Sequence, residues 1–290
     1  MPRIGVFALL VLSMVFWGIN FPLARMVVAD VPPLEAATLR FAIAALVMLA
    51  LTLARGQSVP LLRHALSLGM IGVLGMAGFN LLFFVAMQWT SPVNGALIMG
   101  TNPLVTAILA AFILGERPSL RQLIALPVAM AGVAAVVLGS GASATLNAGD
   151  SLMLAADLVW AGYNVAVRRL MPAGDAIANS TVMMVWSALA LGLAALIFGE
   201  GFAMPGAVAG VSLLMVALAG TVLAYLFYNA GIASLGAGRA ALFMNLVPVW
   251  AMIASAALGT TPTTLQALGG VLVIGSVCYA MMPARRPAVA

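Results

Sequence analysis

Apolar residues run along this chain in blocks of about 20, the length that crosses a hydrocarbon layer as an α-helix. Ten such blocks stand at about 5–25, 33–54, 65–88, 92–114, 119–138, 150–170, 176–198, 207–233, 236–258 and 263–283. The breaks between them include Arg-Gly-Gln-Ser-Val-Pro-Leu-Leu-Arg at 55–63 and Gly-Glu-Arg-Pro-Ser-Leu-Arg at 115–121. An uncharged, Gly/Ser/Asn-rich stretch at 139–149 divides five blocks from five. The pattern predicts an all-α membrane protein: a first repeat over 1–140 and a second over 149–290, within one integrated membrane domain. Most other links are too short to hold a soluble domain. The first apolar block outruns a signal-peptide core of roughly 7–15 residues and no small-residue cleavage site follows it, so it is expected to stay as a helix.

Composition agrees with that solvent. Hydrophobic residues make up 64% of the chain and charged residues 7%, with a mean hydropathy of +1.19. A soluble domain carries about 25% charged residues, so this surface is built for lipid. The net charge of +5 does not point to nucleic acid, because the arginines cluster between apolar blocks. All twelve basic residues are Arg. With no lysine, a P-loop ATPase motif and a lysine Schiff base are both excluded. One Cys (Cys278) allows no internal disulfide, and one His (His64) allows no metal site that needs two. No metal or cofactor is expected, and the partners implied are lipid and a small-molecule substrate.

The arginines orient the blocks. With the N-terminus cytoplasmic, the inner side holds Arg3, Arg55, Arg63, Arg117, Arg121, Arg168, Arg169, Arg239, Arg285 and Arg286, while the outer side holds only Arg25. That asymmetry is the positive-inside rule. It would collapse if one span were added or removed, so both termini are expected in the cytoplasm.

The second half repeats the first. Trp17 and Arg25 match Trp160 and Arg168, 143 positions on. Gly-Glu-Arg-Pro-Ser-Leu-Arg-Gln at 115–122 matches Gly-Thr-Thr-Pro-Thr-Thr-Leu-Gln at 259–266, and the segment around Asn80 matches the one around Tyr225. Five helices per copy is an odd number, so the second copy must enter the membrane from the opposite side. Inverted repeats of this kind are common in secondary transporters, with the substrate near the midplane between them.

The phrases Trp-Gly-x-Asn-Phe at 17–21, the Pro33 to Arg40-Phe41 segment and Gly-Glu-Arg-Pro at 115–118 resemble the drug/metabolite transporter superfamily, and within it the ten-helix EamA-like branch. The chain is similar in particular to YddG-type exporters of aromatic amino acids. It departs from the branch pattern at 259–262, where Gly-Thr-Thr-Pro replaces the usual Gly-Glu-x-Pro. The resemblance implies a basket of ten helices around a central cavity, exporting solutes across a bacterial inner membrane.

Polar and aromatic groups inside spans are the candidate site, because lipid does not solvate them. They are Trp17 and Asn20 in the first helix, Phe79, Asn80 and Phe83 in the third, and Ile98 and Asn102 in the fourth. The second half offers Trp160, Tyr163, Asn164, Tyr225, Tyr228, Asn229, Phe243 and Met244. Asn94 and Thr101 share the face of Ile98. Asn102 precedes Pro103 and Asn245 precedes Pro248, the interrupted helices expected near a binding site. Each asparagine could instead bond another helix, and Trp89 reads as an interfacial anchor. Two charges lie within spans, Arg40 and Asp157. They are expected either to pair across the halves or to hold a charged group of the substrate, and Asp157 is the one acid placed for proton coupling. The leading expectation is alternating-access export of aromatic or apolar amino acids. A multidrug or organic-cation exporter is the alternative, and an intramembrane enzyme would need a nucleophile–base pair or metal cluster that this residue set lacks.

Overall fold

The computed structural model describes residues 3–59, 61, 64–89, 98–139, 148–202, 204–257 and 261–282. Ten helical rods stand among the described residues. They are α1 (Arg3–Val28), α2 (Pro33–Ala54), α3 (65–89), α4 (Asn102–Leu114), α5 (Leu120–Leu138), α6 (Ala148–Leu170), α7 (Ala176–Phe198), α8 (Ala207–Leu235), α9 (237–257) and α10 (Thr264–Met281). Eight are long and apolar enough to cross a membrane. The shorter α4 is apolar as well, and α6 carries Asp150, Asp157, Arg168 and Arg169, which dilute its hydropathy. The fourth apolar block was expected from 92; residues 90–97 lie outside the described residues, residues 98–99 are helical, and α4 follows from Asn102 with Pro103 at its first turn. Asn94 lies outside the described residues.

Two rods are interrupted at matching places. Helix α3 is π-helical over Ile71–Ala77 and α8 over Leu218–Leu223. A π turn widens the ring of the backbone hydrogen bond and leaves carbonyls for other donors, and such turns are frequent at functional sites. Here Gly72 O accepts from Ser187 Oγ at 2.9 Å, and Gly220 O accepts from Trp17 Nε1 at 3.0 Å. Helix α9 carries its own break, a 3₁₀ turn at Phe243–Asn245.

Capping chemistry repeats as well. Ser119 caps α5 and Thr263 caps α10, each in a capping box with the glutamine three residues on, Gln122 and Gln266. Asp175 caps α7 by accepting from Ile177 N and Ala178 N at 2.8 and 2.9 Å.

Two pairs of helices at corresponding sequence positions, α2 with α7 and α5 with α10, pack antiparallel. The start of α2 meets the end of α7 through Thr38 Oγ1 donating to Leu191 O (3.1 Å). The end of α2 meets the start of α7 through Thr52 and Thr181 hydroxyls 2.8 Å apart. Likewise Thr263, opening α10, donates to Gly139 O at the end of α5 (2.9 Å). At the other end Arg121 Nη1 donates to Met282 O (2.8 Å). Between these contacts Gly132 and Gly269 face each other so closely that a Cβ on either would meet the other's carbonyl. Small residues at a crossing are how membrane helices gain contact without a hydrophobic drive.

The described loop arginines gather at one end. Arg55 pairs with Asp175 at 3.7 Å and Arg168 with Glu116 at 3.5 Å. Arg169 Nη1 caps the end of α4 at Ile113 O (2.7 Å). The opposite end is tied by Glu35 Oε1, which accepts from Glu200 N and Gly201 N at 2.5 and 3.1 Å. Between the two ends the outer surface is apolar, with Phe112, Leu196 and Leu46 among its exposed residues. Such a band is unfavourable in water and at home in lipid.

Candidate functional site

An aromatic cluster closes the centre where α1, α3, α6 and α8 meet. Trp160 is at its middle. Its ring lies 5.3 Å from Trp17, 4.8 Å from Phe79, 4.8 Å from Tyr163, 5.6 Å from Tyr225 and 6.0 Å from Tyr228. Trp17 also meets Tyr225 at 5.8 Å and Tyr228 at 4.9 Å. Its contacts with Trp160, Tyr225 and Tyr228 are edge-to-face, the arrangement the ring quadrupole favours. Aromatic side chains aligned by i, i+3 and i+4 spacing in α6 and α8 thus converge with the mid-span tryptophans. The chamber expected between these residues is not open between their rings, because at these separations the faces are in contact.

Local backbone makes this packing possible. At Gly75 a Cβ would come within 2.7 Å of Tyr163 Cδ2, and at Gly220 it would overlap the Asn20 amide. Each glycine lies in a π segment, and the two are 145 positions apart. The first lets α6 approach α3, and the second lets α1 approach α8.

Polar atoms surround the rings, and several lack a partner. Tyr163 Oη donates to Asn229 Oδ1 at 2.7 Å, and Trp160 Nε1 donates to Met244 Sδ at 2.8 Å. Asn164 Nδ2 reaches Thr106 Oγ1 at 3.1 Å and Asn102 Oδ1 at 3.4 Å, and Asn102 Nδ2 donates to the Asp157 carbonyl at 3.0 Å. Of nine buried side-chain N and O atoms without a hydrogen bond among the described residues, six lie on α6, α8 and α9. They are Asp157 Oδ1, Asn229 Nδ2, both polar atoms of the Asn245 amide, and Asn164 Oδ1 and Tyr228 Oη, the last two of which approach each other. Native interiors leave few such atoms, because each costs about 1–3 kcal/mol. Their concentration on α6, α8 and α9 marks this region as chemically incomplete.

Several sequence candidates sit at the edge instead. Phe83 and Ile98 belong to a neighbouring layer with Met153 and Ala156. Phe243 faces Phe7 of α1 at 5.9 Å. Trp89 is 63% exposed, which suits the anchor reading.

The two intramembrane charges do not pair, against one of the two readings given above. Arg40 is buried and donates from Nε to Thr221 Oγ1 (2.6 Å), from Nη1 to Asn80 Oδ1 (3.0 Å) and from Nη2 to Gly220 O (3.2 Å). The Asp157 carboxylate accepts from Thr101 Oγ1 at 3.2 Å, with the Asn102 amide beside it. The reason is directional: Arg40 turns toward α3 and α8, whereas Asp157 turns toward α4. Sequence reasoning missed Thr221 and Gly220, and the signal available was Gly220 standing 145 positions after Gly75, at the spacing of the repeat. A separate cleft of about 360 Å³ lies at the arginine-rich end, lined by residues that include Gln57, His64, Asp175 and Asn179. Among the described residues no group of three or more His, Cys, Asp or Glu side chains could hold a metal ion.

The EamA-like transporter family matches the chain twice, over residues 3–138 and 147–282. The transporter YyaM of Bacillus subtilis (strain 168), named as uncharacterized, is 36% identical over 99% of this chain and 97% of its own length. A probable amino-acid metabolite efflux pump of Escherichia coli (strain K12) is 30% identical over 93% of this chain and 92% of its own. A solved crystal structure superposes with a TM-score of 0.82 at 21% identity, covering 96% of both chains, which shows a shared fold. The chain belongs to the EamA-like transporter family, and it is a multi-pass membrane protein.

Proposed function

We propose that this member of the family exports small amphipathic metabolites, aromatic and apolar amino acids foremost, by alternating access across a bacterial inner membrane. Its ten helices form two five-helix halves of opposite orientation, 1–140 and 149–290, with both termini in the cytoplasm. The antiparallel packing of α2 on α7 and of α5 on α10 supports that inversion, as does the double match to the family at a spacing of 144 residues.

One observation carries the substrate reading: buried, unpartnered polar atoms surround a cluster of indole and phenol rings contributed by both halves. Small-molecule sites have this make-up, apolar walls with a few placed polar groups. A solute with an aromatic body and hydrogen-bonding ends stacks on Trp17, Phe79 and Trp160, and its ends satisfy Asn164, Tyr228 and Asn229. Entry requires the rings to part, which the rocking of one half against the other supplies. Asn20, Asn80, Asn102, Tyr163, Tyr225 and Met244 support the rings, with Phe83, Ile98 and Phe243 behind them. The amino-acid metabolite efflux named for the Escherichia coli relative is consistent with this class.

A second reading, organic-cation export, is favoured by one feature, the unpartnered Asp157 Oδ1 near the aromatic cluster. Purified protein in liposomes, loaded with labelled tryptophan and given no energy source but the gradient, tests the main reading. Exchange above protein-free vesicles is expected. Exchange of quaternary amines without exchange of any amino acid would install the second reading in its place.

A further inference from the structure

We propose that Arg40 is the anion-binding group of this site, so that the solutes carried are those with a carboxylate attached to the apolar body. The inference rests on the export reading above and narrows it to a charge class.

Arg40 is a cation buried inside a span, and no acidic side chain among the described residues pairs with it. Its acceptors are a hydroxyl, an amide oxygen and a backbone carbonyl, all neutral. Beyond these acceptors the guanidinium carbon lies 6.0 Å from the Phe41 ring, and the Tyr225 phenol is nearby. A guanidinium has five N–H donors and three are in use, which leaves one on each terminal nitrogen. Burying a cation without a counter-charge is unfavourable, and in membrane spans such residues mark substrate or ion pathways. A merely structural tie between α2 and α8 needs hydrogen-bond donors and not a permanent charge. Guanidinium, however, is the side chain whose fork matches a carboxylate.

Position places this charge at the aromatic cluster. Gly220 O, freed by the π turn, accepts from both Arg40 Nη2 and Trp17 Nε1. The cation and the indole edge therefore share one oxygen. Asn80 makes a second bridge, accepting from Arg40 at Oδ1 and donating from Nδ2 to Tyr225 Oη at 3.3 Å. A solute stacked on Trp17 and Trp160 with its carboxylate toward α2 meets the guanidinium directly. The carboxylate then supplies the missing counter-charge.

The test uses full-length protein in liposomes carrying labelled tryptophan. Indole-3-propionate, which keeps the carboxylate and lacks the amine, is expected to compete, and tryptamine, which keeps the amine and lacks the carboxylate, is not. Arg40→Gln should erase this preference by about tenfold or more, the size of a lost charge-assisted hydrogen bond. Arg40→Lys should retain most of it. Equal competition by the two indoles in the unaltered protein overturns the assignment while leaving export standing. So does an Arg40→Gln variant that slows both solutes alike. The competition in the unaltered protein decides the matter even where Arg40→Gln fails to fold. Failure to carry tryptophan at all removes the export reading and this inference together.

Discussion

Trp17 and Trp160 lie 143 positions apart in the chain and meet edge to face, ring centroids 5.3 Å apart. Asn80 and Tyr225, 145 apart, meet through a hydrogen bond. Residues at corresponding positions of the two family matches thus touch each other at the centre. Trp160 contacts five other rings, and ring pairs are worth about 0.5–1.5 kcal/mol each beyond area. Trp160→Ala is therefore expected to cut tryptophan exchange by about tenfold or more, with the protein still recovered from membranes. Asn164→Ala should impair exchange too, and Trp89→Ala, at an exposed ring, should not. Unchanged exchange by Trp160→Ala would remove the cluster from the transport path.

The π-segment glycines make a matched prediction about packing. A methyl at Gly75 meets Tyr163, and one at Gly220 meets Asn20. Overpacking of this kind costs about 1–3 kcal/mol, so Gly75→Ala and Gly220→Ala should each lower the thermal midpoint in detergent. Gly162→Ala is the control, because nothing lies within 4 Å of its added Cβ. There the gain in helix propensity, about 1 kcal/mol, should raise the midpoint slightly. A flat response across all three would mean that the π turns yield freely to the added methyl.

The rods and the aromatic members of the candidate site were legible in the sequence for a physical reason. Lipid imposes a fixed apolar length on every span, and Trp, Tyr and Asn stand out against that background. Position along the helix then placed Trp17, Trp160, Tyr225 and Tyr228 together. The partners of Arg40 were not legible. Gly220 and Thr221 sit in Leu-Ala-Gly-Thr-Val-Leu, which reads as ordinary apolar helix. Only the π turn turns its carbonyl toward α1 and α2. Asp157 misled in the same way, since depth in the span gives no information about azimuth. Its carboxylate points to Thr101 of the segment before α4, away from α2.

The Asp157 carboxylate, which has no ion-pair partner among the described residues, has a thermodynamic signature. A charge alone in a span costs about 3 kcal/mol on insertion scales. Asp157→Asn keeps the shape and removes the charge without stranding a partner cation. It is expected to raise the thermal midpoint in detergent by several degrees. A fall would reveal a cation that balances Asp157 in the folded protein and would revive the ion-pair reading.

At the arginine-rich end, Asp175 should confer a pH-dependent stability. Its carboxylate is held below the ordinary range, first by the backbone N–H of Ala178, then by the Gln57 amide and by the charge of Arg55. A depressed folded-state value means the contribution is complete above the unfolded value of about 3.9 and fades as pH falls through the folded one. Asp175→Asn keeps some capping and loses the charge. Denaturation in detergent should show a constant deficit for that variant between pH 5 and pH 8, on the order of 1 kcal/mol. The deficit should narrow below about pH 4. A deficit that instead grew on acidification would contradict the sign of the effect.

Topology gives the sharpest test of the inverted arrangement. Ser58 lies in the α2–α3 link and Met204 in the α7–α8 link, corresponding loops of the two halves. If the halves entered the membrane the same way, both positions would face one side. With opposite entry, Ser58 faces the cytoplasm with the clustered arginines, and Met204, 95% exposed, faces outward. Single cysteines at each position, in a background where Cys278 is replaced by serine, can be labelled in intact cells with a membrane-impermeant maleimide. Met204→Cys should label in intact cells, whereas Ser58→Cys should label only after the membrane is opened. Labelling of both from outside would refute the inversion, and with it the route by which two packings of similar energy could alternate around Trp17 and Trp160.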